Sequence, residues 1–253
     1  MADLRACGVA ALLSDFGNAD AYVGIVKGVM LGIAPNIRLI DISHQVRPQQ
    51  VTQGAYLLST CMNYMPLGTV FMAVVDPGVG SSRRALAARS DRYFYVGPDN
   101  GIFARCWEID SPNCVVSVEP GRWTLPAVSR TFQGRDVFAP VAAHLAGGAP
   151  LEEMGRPCAN WLKPNEVTEV GKVRVLHVDV FGNIVLDRRA PIGDFVELDG
   201  RRIPVAESYS AVPEGELLAY WGSAGHLEVG VNSGSAAQAL QVSVGDCLAF
   251  KAR

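Results

Sequence analysis

No stretch of this sequence is long and apolar enough to cross a bilayer. The longest purely apolar run is Val70 to Val75, far short of the ~20 residues a spanning helix needs. The N-terminal segment has a weak apolar stretch but no basic leader and no small-residue cleavage site, so it reads as the first strand of a cytoplasmic protein. Positive charge is not in excess. Lys and Arg total 22 against 25 Asp and Glu, a net charge of −3, which argues against a broad nucleic-acid-binding face while leaving room for a small basic site. Histidine is scarce: the four at 44, 144, 177 and 226 form no H-E-x-x-H pair. The six cysteines include no C-x-x-C, which excludes the usual zinc and thioredoxin-type sites and reads as buried free thiols. No metal and no cofactor is expected. The phosphate-loop pattern G-x-x-x-x-G-K-[ST] and the G-x-S-x-G nucleophile elbow are both missing. Gly78 to Arg83 starts like a G-x-G-x-x-G, but it ends in arginine and falls in the third strand–helix unit, which disfavours a dinucleotide role.

What remains is a chain of 253 residues, 49% apolar and 19% charged, long enough for one large domain or two small ones. Its first part alternates strand and helix patterns. Val9 to Ser14 reads as a strand. Ala19 to Ile33 reads as a helix with Val23, Val26, Met30 and Ile33 on one face and Asn18 or Asp20 as cap. Strands are expected at 37–42, 69–75, 86–88, 93–96 and 115–118, and helices at 51–64 and 136–145. That order predicts a mainly parallel sheet with flanking helices. From residue 171 the pattern changes to seven short strand-like runs separated by turn signals. Asp199-Gly200 is the strongest of these signals, and together they imply a small barrel or sandwich. The expected organisation is therefore an α/β domain at 1–158, a linker at 159–170 and a β-barrel domain at 171–253.

Parallel sheets bind ligands beyond the carboxyl ends of their strands. Three polar clusters fall there: Ser14-Asp15-Phe16-Gly17, Asp76-Pro77-Gly78-Val79-Gly80 and Gly97-Pro98-Asp99-Asn100-Gly101. Asp15, after the first strand, is placed to accept from both hydroxyls of a ribose. Asp76 and Arg83 are seven residues apart across a glycine turn. They read equally as a surface ion pair or as an ionised aspartate oriented by arginine toward a small reactant. In the stretch from Thr131 to Asp136, Phe132 offers an apolar wall and Gln133 a neutral hydrogen-bonder, unless the loop simply ends in a capping aspartate. Asp179 to Asn183 is a plausible turn, and its aromatic beside an asparagine suits a purine.

Taken together, LLSDFGNADAYVGIVKGVM at 12–30, VVDPGVGSSRRALA at 74–87, VGPDNGIF at 96–103, TFQGRDVFAP at 131–140, DVFGNIV at 179–185 and GSAGHLEVGVNSGSAA at 222–237 resemble the S-adenosyl-L-methionine hydroxide adenosyltransferases, relatives of fluorinase and chlorinase. The six segments run in register over nearly the whole chain. The resemblance implies an α/β domain joined to a β-barrel and a cytoplasmic homotrimer with its sites at subunit interfaces. It implies hydrolysis of S-adenosyl-L-methionine to adenosine and L-methionine by attack of water on ribose C5′. It assigns Asp76, Arg83 and Gln133 to the catalytic set, with Gln133 standing where the family has histidine; halogenases carry tyrosine at the Asp76 position. It assigns Asp15 to the ribose, and Asp20, Tyr22, Asp179 and Ser223 to the methionine amino-acid group. Thr131, Phe132 and Gly134 would lie by the reacting carbon, and Phe181, Asn183, Tyr209, Val231 and Asn232 around adenine. The other readings are a binding protein with little turnover, which Gln133 motivates, and a halide-using relative.

Overall fold

The structure is a computed structural model that describes residues 4–162, 168–189 and 193–252. The chain divides into two compact units, Met1–Pro164 and Asn165–Arg253. Residues 163–167 of the expected linker lie outside the described residues.

The first unit is built on a seven-stranded sheet. Its strands are β1 (Val9–Ser14), β2 (Arg38–Ser43), β3 (Val70–Val74), β4 (Ala85–Arg89), β5 (Phe94–Pro98), β6 (Cys114–Val118) and β7 (Gly155–Pro157), in the order β2-β1-β3-β5-β4-β6-β7. Strands β2, β1, β3 and β5 are mutually parallel, and β4 and β7 run against the rest. Central strands β1 and β3 are buried along their length, which is why they read as continuous apolar runs. Their side chains alternate between two cores. Ala10, Leu12, Val70, Met72 and Val74 face one, with Val26 and Met30 of α1 (Tyr22–Ile33) and most of α4 (Ala139–Ala146). Ala11, Leu13, Phe71, Ala73 and Val75 face the other, with Leu58 of α2 (Val51–Cys61) and Cys106 and Trp107 of α3 (Ala104–Ile109).

Three local expectations are corrected. Helix α1 begins at Tyr22 after Ala21, with no side-chain cap from Asn18 or Asp20. The α-helix expected over 51–64 ends at Cys61 and tightens into a 3₁₀ turn over Met62–Tyr64. Of the cysteines, all free, only Cys106 and Cys158 are buried, and Cys247 is exposed.

The second unit is one antiparallel sheet of seven strands, β8 (Lys172–Val178), β9 (Ile184–Leu186), β10 (Phe195–Leu198), β11 (Arg201–Pro204), β12 (Leu217–Trp221), β13 (Leu227–Val231) and β14 (Cys247–Ala252), with the five-residue helix α5 (Ala236–Leu240). The order is β11-β10-β14-β8-β9-β13-β12, and a bridge from Val205 to Ala219 brings the ends together as a small barrel. Inward residues such as Val175, Ile184, Leu186, Val196, Ile203 and Val229 fill its core. Asp199 and Gly200 both have positive φ, 46° and 80°, as a two-residue hairpin turn of the primed type demands, and Leu198 pairs with Arg201 across it.

Candidate active site

All three polar clusters sit at the carboxyl ends of parallel strands, but they are used differently. Asp99, after β5, is buried and engaged: Oδ2 accepts from Arg84 Nε at 2.8 Å and Oδ1 from the Leu162 amide at 2.8 Å. It is a structural group.

Asp76 follows β3 where the backbone leaves the sheet. Its Oδ1 accepts from the Gly78 amide at 3.2 Å, which folds the glycine turn back. Gly80 takes φ 78°, and a side chain there would meet the Arg130 carbonyl at 2.6 Å, so only glycine lets this turn lie against the 130 loop. The returning chain delivers Arg83. Its Nε donates to Asp76 Oδ1 at 3.0 Å and Oδ2 at 2.9 Å, while Nη2 donates to Asp76 and to Gln133 Oε1. The two charged side chains are 9% and 6% exposed, which replaces the surface ion pair with a shielded one. The guanidinium also lies 5.2 Å from the centroid of Phe138. Asp76, Arg83 and Gln133 thus form one hydrogen-bonded set.

Gln133 belongs to a segment that continues into a π-type turn, Gly134–Phe138. Beside it Phe132 meets Phe16 and Tyr22 edge to face, and Phe16 and Tyr22 are tilted to one another, with centroids 5.1 to 6.2 Å apart. Gly134 packs directly beneath Phe16, where an added Cβ would fall 2.8 Å from the ring. Thr131 Oγ1 lies 3.2 Å from Ser129 Oγ. The turn is anchored by buried Asp136, which binds Arg135 Nε at 2.6 Å and the Ser129 amide at 2.8 Å. Burial opposes the Asp136 charge, but these bonds outweigh it and hold its carboxyl below the usual range.

Asp15, after β1, accepts from the Gln49 amide at 2.9 Å, and Asp20 is exposed near the start of α1. A polar chain that local spacing does not reveal lies under the Asp15 turn. Ser14 Oγ is 2.7 Å from His44 Nδ1, His44 Nε2 is 3.1 Å from Asp41 Oδ1, and Lys27 Nζ donates to Asp41 Oδ2 at 2.6 Å. His44 also takes the Gly17 amide on its carbonyl at 2.8 Å, so this polar chain fixes the loop that presents Asp15. Ser14 and His44 are buried; Ser14 stood in the first polar cluster without a role of its own, and His44 was not among the candidates.

In the second unit one open cavity of about 820 Å³ is lined by Asp179, Phe181, Asn183, Tyr209, Ser223, Val231 and Asn232, all of the candidates in this part of the chain. Asp179 shapes its floor: Oδ1 accepts the Phe181 and Asn183 amides, each at 2.9 Å, and Oδ2 accepts Asn183 Nδ2 at 2.8 Å. Phe181 is 75% exposed at the rim. Tyr220, Trp221 and Glu228 also line the cavity and were not foreseen. The Tyr209 and Tyr220 hydroxyls are 2.7 Å apart. Glu228 reads as the solvent-side polar residue of an alternating strand, which disguised it. Among the described residues no group of three or more His, Cys, Asp and Glu gathers as a metal site would require, and no helix is long and apolar enough to cross a membrane.

An α/β unit with a carboxylate–guanidinium–amide set at a strand end, and a β-barrel unit with an aromatic cavity, define a two-part small-molecule enzyme architecture. Residues 10–155 match the SAM hydroxide adenosyltransferase N-terminal domain and residues 173–249 the C-terminal domain, so the chain belongs to that family. It is 47% identical over 244 residues to an (R)-S-adenosyl-L-methionine hydrolase of Thermus thermophilus, covering 92% of this chain and 95% of that one. A fluorinase of an Actinoplanes species is a more distant relative, 28% identical over 70% of each chain. The crystal structure of an uncharacterized conserved protein from Thermotoga maritima superposes with a TM-score of 0.87 at 35% identity, covering 96% of this chain and all of that one.

Proposed function

We propose that this protein hydrolyses S-adenosyl-L-methionine to adenosine and L-methionine. The observation that carries the reading is the shielded Asp76–Arg83–Gln133 set at the end of β3, in a chain that belongs to the hydroxide adenosyltransferase family. A sulfonium is already a good leaving group. The work is to hold one water in line with the C5′–S bond and strip its other partners. The water oxygen bonds to C5′ as the C5′–S pair withdraws onto sulfur, which leaves as the neutral thioether of methionine. Asp76 accepts the proton lost by the water. Arg83 keeps the carboxylate oriented, and Gln133, whose amide oxygen is taken by Arg83, turns its NH₂ to position the water. Asp15 takes the ribose hydroxyls, and Thr131, Phe132 and Gly134 wall the reacting carbon. Phe181 stacks on adenine, with Asn183, Tyr209 and the backbone of Val231 and Asn232 at its edge. Asp20, Tyr22 and Ser223 surround the amino-acid group, where Asp179 was also expected.

In this reading residues 1–158 form the substrate-binding and catalytic domain, 159–170 the linker and 171–253 the adenine-side domain. We place the protein in the cytoplasm, where six free thiols are stable. We propose a homotrimer with sites shared between chains, supported by the apolar surface that Ile25, Leu31 and Ile40 leave exposed on α1 and on edge strand β2.

The relative's name specifies the (R) sulfonium epimer, and we extend that preference to this chain. Incubation with each resolved epimer, followed by chromatography, tests both points. Equimolar adenosine and methionine from the (R) epimer is the expected result. Ligand bound but unchanged would favour the binding-protein reading, which Gln133 recommends because an amide cannot exchange a proton near neutral pH. A halogenated nucleoside formed only with added halide would favour the halide-using reading.

A further inference from the structure

We propose that His44 is a positioning residue for ribose recognition: with its proton on Nε2 and its Nδ1 accepting from Ser14, it locks the turn that presents Asp15. This rests on the reading of Asp15 as the group that takes the ribose hydroxyls, and it adds a residue to which neither the motifs nor the resemblance gives a role.

Ser14, His44 and Asp41 are the residue types of a hydrolytic Ser–His–Asp set, but burial excludes that use. Ser14 is only 3% exposed, so no substrate reaches its hydroxyl as a nucleophile requires. What the set touches instead is backbone. Ser14 Oγ accepts from the Phe16 amide at 3.3 Å, and the His44 carbonyl accepts from the Gly17 amide at 2.8 Å. With its ring 2.7 Å from Ser14 Oγ, His44 therefore grips the chain on both sides of Asp15. The loop that follows His44 holds the carboxylate itself, through the Gln49 amide on Asp15 Oδ2 at 2.9 Å. A carboxylate has about four acceptor sites, so most of them remain for a ribose.

The sheet itself delivers His44 to this place. Strands β1 and β2 pair in register from Val9 with Arg38 to Leu12 with Asp41, and then Leu13 pairs with Ser43, one residue further on. The extra residue on β2 brings His44 beside Ser14; an inserted residue of this kind re-aims a side chain. The hydrogen bonds then fix the tautomer. Burial opposes the charge of Asp41, but bonds from Lys27 and His44 outweigh it and hold its carboxyl below the usual range. An ionised Asp41 can only accept, so His44 Nε2, 3.1 Å from Oδ1, carries the proton. Ser14 Oγ already receives the Phe16 amide, and its own buried hydroxyl proton needs an acceptor, which is the Nδ1 lone pair. Lys27 Nζ, 2.6 Å from Asp41 Oδ2, ties the far end of the chain to α1. Each buried donor of the chain meets an acceptor, and the Asp15 turn is ordered before a ligand arrives, which spares binding the cost of ordering it.

Two amide substitutions in the full-length protein each copy one ring nitrogen. His44→Asn places its amide where Nδ1 stood and keeps the bond to Ser14; His44→Gln places it where Nε2 stood and keeps only Asp41. Calorimetry would use adenosine and 2′,3′-dideoxyadenosine, which differ only in the ribose hydroxyls. The expected result is that His44→Gln lowers the preference for adenosine by at least about fivefold, the scale of a buried polar group losing its partner. The Kd of the dideoxy compound should not change, and His44→Asn should retain most of the preference. A lowered melting temperature with the preference intact makes the set purely structural and overturns the proposal, and equal losses in the two variants overturn the Nδ1 route. If the His44→Gln chain misfolds, Ser14→Ala removes the same hydroxyl bond and must show the same selective loss. Asp15→Asn is the control and should abolish the preference. If it does and His44→Gln does not lower it, the proposal for His44 alone fails; if Asp15→Asn leaves the preference intact, the ribose reading of Asp15 fails and takes the proposal with it.

Discussion

Asp76 serves two partners at once. It closes the glycine turn through the Gly78 amide and holds Arg83 through both oxygens. Asp76→Asn keeps the side-chain shape, and Arg83 keeps Gln133 and the Arg84 carbonyl, so the fold should survive. As the proton acceptor, Asp76 should cost kcat roughly 10²- to 10⁴-fold when neutralised. Steady-state turnover beside a calorimetric Kd checks this, and turnover within twofold of wild type would remove Asp76 from the mechanism. Gln133→His makes a different test. One ring nitrogen can still accept from Arg83, but the side chain now titrates near pH 6.5. The kcat–pH profile should gain an inflection near that pH that the wild-type profile lacks, and its absence would mean that residue 133 does not touch the reacting water. The sequence suggested the Asp76–Arg83 pair because a seven-residue glycine turn limits where the arginine can go. Local spacing could not show Gln133 completing the set, and only the resemblance put it there, since that contact spans 50 residues and exists only once the sheet has formed. His44 escaped for the same reason: its buried partner Ser14 lies on another strand, 30 residues away.

At the scale of elements, the π-type turn Gly134–Phe138 is what aims Gln133, and Asp136 is its anchor. Because the folded carboxyl lies below its ordinary value of 3.8, the unfolded chain binds the proton more tightly. The stability Asp136 contributes is therefore present above that ordinary value and is lost as pH falls through the lowered one. Asp136→Asn should be less stable than wild type at neutral pH, and the difference should shrink below about pH 4. Denaturant midpoints from pH 7 down to pH 3 measure it, and a constant difference would contradict the assignment. Elements with strong local signals were readable in advance. Strands β1 and β3 are unbroken apolar runs because they are covered on both faces, and the Asp199-Gly200 turn follows from the positive φ that only such residues adopt readily. Helix α3 is six residues long and β7 only three, including Gly155, where a Cβ would meet the Ser117 carbonyl at 2.0 Å. Such pieces are too short to show a period and are fixed by tertiary contact.

For the whole molecule, the chemistry is divided along the chain. The proposed ribose and water residues Asp15 and Asp76 lie in the first unit, and Phe181 and Asn183 lie in the second. If sites are shared between chains, inactive Asp76→Asn and inactive Asn183→Ala chains refolded together should recover part of the wild-type activity. Mixed trimers of 27.0 kDa chains, verified by native mass spectrometry, that regain no turnover would refute the shared arrangement. The central claim is the attack of water on C5′, and it is tested most directly by one turnover mixture in H₂¹⁸O analysed by mass spectrometry. The account predicts that adenosine carries one ¹⁸O at its 5′-hydroxyl and that methionine carries none. Labelled homoserine with 5′-methylthioadenosine, the products of cleavage on the other side of sulfur, would contradict it.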